Sequence, residues 1–250
     1  MLRILAYIFA FLFSQIFSFC LVAVYHMAVK GMTAEAFFSN QSLRQQAIPL
    51  AITLLVVNLV IIAFLFVVGL VRKTCLRNTV SGRTWAFSLI GVVALGVGLG
   101  FVSEVFNFSD GGTTDMFSYM TNSPLAIVSI TIVGPVFEEL ICREGIQRTL
   151  RERGWSMQVS IAVASSLFAV AHGNVLQGIS AFAAGFYLGW LYERSGTALL
   201  PIGAHILNNS ISVALLMLFP TPIEEQVPLV AQIPIGIGLL GFSVYCAKQT

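Results

Sequence analysis

Long apolar stretches dominate this 250-residue chain. A helix needs about 20 apolar residues to cross a bilayer. Eight candidate stretches recur, at roughly 4–26, 47–71, 85–106, 123–147, 156–172, 175–192, 198–219 and 227–246. Only 10% of the residues are charged, against about 25% in soluble domains. With a mean hydropathy of +0.90, a soluble globule of this composition could not wet its surface. The expected fold is therefore all-α, a polytopic membrane bundle of about eight transmembrane helices. The first stretch follows Arg3 and exceeds the roughly 7–15 residues of a signal-peptide core, with no good small-x-small cleavage site after it, so a retained helix is expected.

Eight spans put both termini on one side. With the termini in the cytoplasm, Arg3, Arg72, Lys73, Arg77, Arg83, Arg148, Arg151, Arg153, Arg194 and Lys248 fall inside, and only Lys30 and Arg44 outside. That bias satisfies the positive-inside rule and supports the span count. The acids Glu35, Glu104, Asp110, Asp115, Glu224 and Glu225 fall outside. The longest connections, around 27–46 and 107–122, leave no room for a soluble domain, and Asp110-Gly-Gly-Thr-Thr-Asp115 reads as a turn-rich loop. Small residues four apart, Ala181, Gly185 and Gly189, and Gly96 with Gly100, predict close helix crossings. Cys20, Cys75, Cys142 and Cys246 show no metal-like spacing and read as small buried hydrophobes.

Charges interrupt the fourth stretch, in Gly-Pro-Val-Phe-Glu138-Glu139-Leu-Ile-Cys-Arg143-Glu144-Gly. Ionisable groups in hydrocarbon persist when they pair or perform chemistry. Glu139 and Arg143 are four apart, share a helix face and can pair. Glu138 points about 100° away and is free to face something else. The alternative is a helix end emerging into headgroups, although Arg148, Arg151 and Arg153 already mark that end. Two of the three histidines also lie in apolar segments. His172 follows Phe168-Ala-Val-Ala, and His205 stands four before Asn209 on the seventh stretch. Each alone could be a satisfied interface group or a polar clamp. Together they can serve hydrolysis. A carboxylate near a histidine can take a proton from water, and a histidine with an amide can stabilise the oxygen that becomes negative when water adds to a carbonyl. Measured from the basic end, Glu138 and His172 lie about 20 Å in and His205 only about 10 Å. Convergence then requires that helices four and five project beyond the others, or that helix seven starts deeper.

Glu-Glu-x-x-x-Arg, Phe-x-x-x-His and His-x-x-x-Asn, each in its own span, resemble the motif set of the CAAX protease and bacteriocin-processing (CPBP, or Abi) family of intramembrane proteases, also called type II CAAX prenyl endopeptidases. The likeness covers residues 123–215 best and implies a bundle of about eight spans. It suggests 1–122 as three N-terminal helices, 123–219 as a catalytic core and 220–250 as a C-terminal helix, in one integral unit. By resemblance Glu138 and His172 would activate water, His205 and Asn209 would stabilise the oxyanion, and Glu139 with Arg143 would support the site. The family often has glycine directly after the motif arginine, where this chain has Glu144 before Gly145. Family members are labelled metalloproteases, and a metal-free glutamate mechanism has also been argued. Zinc would take Glu138, His172 and His205 as ligands, yet no His-Glu-x-x-His helix is present, and the metal-free route is expected. Expected partners are membrane lipid and a membrane-associated peptide or protein substrate, with no nucleic acid. The expected location is a bacterial cytoplasmic membrane. Two other functions use the same residues: a non-catalytic membrane scaffold or immunity protein of this family, and a transporter whose polar groups line an ion path.

Overall fold

A computed structural model describes residues 1–39, 42–78, 80–106, 112–173, 175–219 and 226–250. Asn174 and Asp110, with Glu224 and Glu225, lie outside the described residues. Every apolar stretch is helical: α1 (Leu2–Val29), α2 (Leu43–Val67), α3 (Gly82–Phe106), α4 (Pro124–Glu152), α5 (Met157–Val170), α6 (Val175–Ser195), α7 (Leu199–Leu218) and α8 (Leu229–Lys248). Seven are long and apolar enough to cross a membrane, and α5, with 14 residues, is shorter. At 1.5 Å per residue α5 is about 21 Å long, short of a hydrocarbon core of about 30 Å. The molecule is an integral membrane protein built as an all-α bundle.

The helices pair as α1 with α2, α3 with α8 and α5 with α6. Association between helices in lipid depends on close packing, and small residues supply it. A Cβ on Gly185 would lie 3.2 Å from Ser165 Cβ, and one on Gly189 would lie 2.9 Å from Ile161 Cγ2, both on α5. Gly185 and Gly189 thus lie at the α5–α6 contact, and Gly189 also leaves room for Gln147 of α4, whose Oε1 would lie 2.9 Å from a Cβ there. The α3–α8 crossing uses Gly98, where a Cβ would lie 3.1 Å from the Gly236 carbonyl.

Helix α4 runs through the centre, and Leu140–Gln147 is buried on every face. Glu144, absent from the motif set, has 0% exposure there. Its carboxylate accepts from Arg72 Nε at 2.6 Å, Arg72 Nη2 at 2.9 Å and Tyr192 OH at 2.7 Å, and Arg148 Nε lies 3.1 Å away. The α2–α3 connection is thereby strapped across the basic end of the bundle. Tyr7 OH and Arg148 Nη2 donate to the Leu70 carbonyl, and Thr197 Oγ1 and Ala198 N–H donate to that of Cys75. Glu144 holds the Arg72 guanidinium further above its already high range. Burial pushes the Cys75 thiol up to about 12, so it stays a neutral thiol in the strap. Glu144→Gln removes the charge but keeps the shape. We expect a loss of about 2–3 kcal/mol, moderated because the Arg72 side chain is 46% exposed and keeps water as a partner. Thermal unfolding in detergent measures it.

The strap also settles the depth mismatch. Thr197, Ala198 and Leu200 are buried beneath it, so α7 begins inside the bundle. At 29 residues, α4 is about 44 Å long and extends past that start. His205 thereby meets Glu138 and Glu139.

Candidate active site

The motif turn of α4 is bracketed by irregular helix. Ser123 caps the start, its side chain accepting from Ala126 N–H, and Pro124 follows at the first position. Ser129–Val133 then winds as a π-helix, in which Gly134 N–H donates to the Ser129 carbonyl. In that register the next donor, to Ile130, would be residue 135, a proline with no N–H. The freed Ile130 carbonyl accepts from Asn209 Nδ2 at 3.0 Å. Pro135 thus opens the docking point that fixes Asn209 against α4. A second π segment, Leu140–Gln147, follows Glu139, and such bulges are frequent at functional sites.

Glu139 and Arg143 are both 0% exposed and pair at 2.9 Å through Arg143 Nε and Glu139 Oε2. Sequence spacing predicted that pair. It did not predict that the other oxygen, Oε1, accepts from His205 Nδ1–H at 3.1 Å. The carboxylate therefore orients two groups, and the histidine ring is held with Nε2 towards Glu138, 3.7 Å from its Oε2. The Glu138 side chain is 21% exposed. Phe168, named in the motif but given no role, is the buried wall between the histidines. Its ring meets His172 edge-on at 4.7 Å and His205 at 5.7 Å, centroid to centroid, and the Arg143 guanidinium stands 6.0 Å from it. His172 Nδ1 lies 2.8 Å from the Phe168 carbonyl. A carbonyl only accepts, so Nδ1 carries the proton and Nε2 of the neutral ring keeps its lone pair.

A cavity of about 460 Å³ takes His172, His205, Asn208 and Asn209 among its walls. Glu138 stands beyond His205 and is not one of the lining residues. Asn208 was missed in the sequence reading, although it sits three residues after His205 on the same helix face. Its Nδ2 donates to Asn209 Oδ1 at 3.4 Å, and its Oδ1 lies 2.6 Å from where a Cβ on Gly96 would be. Gly96 therefore lets α3 approach α7 closely, as its small size predicts, and the group it makes room for is an amide at the site. Glu138 is brought beside His205, and no ion pair joins it to His172 among the described residues. Nor do any three His, Cys, Asp or Glu side chains gather as a metal-holding group among those residues, so the zinc set of Glu138, His172 and His205 is not assembled.

The fold and site together define a helical membrane bundle with a buried carboxylate–histidine pair and neighbouring amides at a cavity wall. Residues 120–211, which hold all three motifs, match the type II CAAX prenyl endopeptidase Rce1-like family. That agrees with the family the motifs resemble. The chain is also 26% identical over 162 residues to a Bacillus subtilis (strain 168) protein named "Putative membrane peptidase YdiL". That alignment covers 61% of this chain and 66% of the relative. No solved structure matches.

Proposed function

We propose that this protein is an intramembrane endopeptidase that adds water to a peptide bond at the cavity walled by His172, His205 and Asn209. The observation that carries this reading is His205, held through Nδ1–H by buried Glu139 and turned with Nε2 towards Glu138. In this reading water reaches Glu138 past His205, bonds to its carboxylate and to the Nε2 lone pair of His172, and loses a proton to Glu138 as its oxygen attacks the carbonyl carbon. The carbonyl oxygen becomes an oxyanion and needs donors in place before charge develops. Asn209 has a second Nδ2–H beyond the one given to Ile130. His205 donates from Nε2 when both ring nitrogens carry protons. The intermediate then collapses, the C–N bond breaks, and Glu138 returns its proton to the leaving amine. Arg143 pairs with Glu139 and holds it in place, and Asn208 steadies the Asn209 amide.

The positive-inside rule supports an orientation with both termini and the basic strap at the cytoplasmic face. A relative from Bacillus subtilis fits a bacterial cytoplasmic membrane. The test is comparative membrane and secreted peptidomics of cells making the wild type or Glu138→Gln. Peptides that vanish with Glu138→Gln are expected, and identical peptidomes would overturn the reading. Such a peptide then serves to test the metal. We expect cleavage by purified protein to survive exhaustive chelation. Loss of cleavage that zinc alone restores would replace the metal-free route.

A further inference from the structure

The cavity has a floor and a mouth at opposite depths. Leu95, Phe168, Ala181 and His205 are buried at its inner end. Thr114 and Ser212 are exposed at its other end. Chain direction fixes which end of the bundle that is. Helix α3 leaves the basic strap at Gly82 and reaches the cavity wall from Leu95 to Ser103. Helix α7 starts beneath the strap at Leu199 and reaches it from His205 to Leu216. Helix α5 begins after Arg151 and Arg153 and leads to His172. All three travel away from the basic end before they meet the cavity. From His205 to Leu216 the wall is about 16 Å deep at 1.5 Å per residue.

The basic end is strapped over, and no described residue of the strap lines the cavity. Arg72, Arg148 and Tyr192 close over the buried Glu144 carboxylate there, and Thr197 and Ala198 bind the Cys75 carbonyl over the start of α7. A peptide approaching from that side meets the strap, with the fully buried turns of α4 behind it. The wall chemistry is also one-sided. All 13 lysines and arginines of the chain are among the described residues, and none lines the cavity. Among the described residues its polar groups are hydroxyls, amides and imidazoles, including Ser103, Gln177 and Ser180. Such groups bond a neutral peptide strand but offer no counter-ion to a carboxylate, which would be costly to bury there.

We propose that the cavity admits substrate from the side opposite the basic strap, the extracytoplasmic side, and takes an uncharged internal stretch of an exported or membrane-anchored polypeptide. This rests on the endopeptidase reading for what happens to the substrate, but not for the sidedness. The experiment uses full-length protein carrying Cys20→Ser, which removes the exposed native thiol. Thr114→Cys and Ser212→Cys mark the mouth, and Thr74→Cys marks the strap. Right-side-out spheroplasts and inverted vesicles are treated with a membrane-impermeant maleimide. Mouth cysteines should label in spheroplasts and the strap cysteine only in inverted vesicles. The reverse pattern, or mouth cysteines that label only after detergent, would overturn the sidedness. Adding Glu138→Gln should leave the labelling unchanged, so a failure of catalysis and a failure of sidedness are read separately. With Glu138→Gln protein in detergent, a fluorescent peptide of Ser, Ala and Leu with blocked ends should bind at least tenfold tighter than one with Asp substituted at its centre. Equal binding would overturn the assignment of an uncharged substrate.

Discussion

Glu138→Gln should reduce peptide release by about 10²–10⁴-fold, the range that a positioned general base supplies. The protein should still fold and insert. The reason is the difference between adjacent carboxylates. Glu138 is partly exposed and faces His205 Nε2 across 3.7 Å, so the neutral amide fits the same space with little penalty. Glu139 is fully enclosed and bonded to both Arg143 and His205. Initial-rate measurement on the peptide found by peptidomics, with thermal unfolding alongside, separates the two residues. Full activity in well-folded Glu138→Gln would remove Glu138 from the chemistry.

Arg143→Leu should be the more damaging change to stability, by about 3–5 kcal/mol, because it leaves the Glu139 carboxylate buried without its cation. Arg143 also lies near the Phe168 ring that both histidines lean on, so the cavity wall should loosen with it. A double-mutant cycle with Glu139→Gln isolates the pair. If the carboxylate is the problem, Glu139→Gln should recover part of the loss in Arg143→Leu protein. Strictly additive effects on denaturant-induced unfolding in micelles would show that the two side chains are energetically independent.

The membrane bundle was legible from sequence because hydrocarbon allows so few solutions. Recurring apolar stretches of near-span length have to become helices whose backbones bond internally. The Glu139–Arg143 pair was legible because it depends only on helical spacing within one segment. His172, His205 and Asn209 could be selected as types of chemistry from their motifs. Gly185, Gly189 and Gly96 were readable as close-approach positions for the same local reason, though not which helix each would meet.

What tertiary structure decided was every relation between helices. Periodicity carries no information about how deep one helix starts relative to another. The buried beginning of α7 under the strap is what brings His205 level with Glu138 and Glu139. Glu144 looked like a stray charge because its partners, Arg72 and Tyr192, are 72 and 48 residues away. The link from Asn209 to Ile130 needed both the missing N–H of Pro135 and the π register before it. Sequence determined the solvent, the helices and the chemical inventory, because those follow from composition and local spacing. Packing of distant segments decided which carboxylate holds the histidine, which faces it, and towards which end of the bundle the cavity opens.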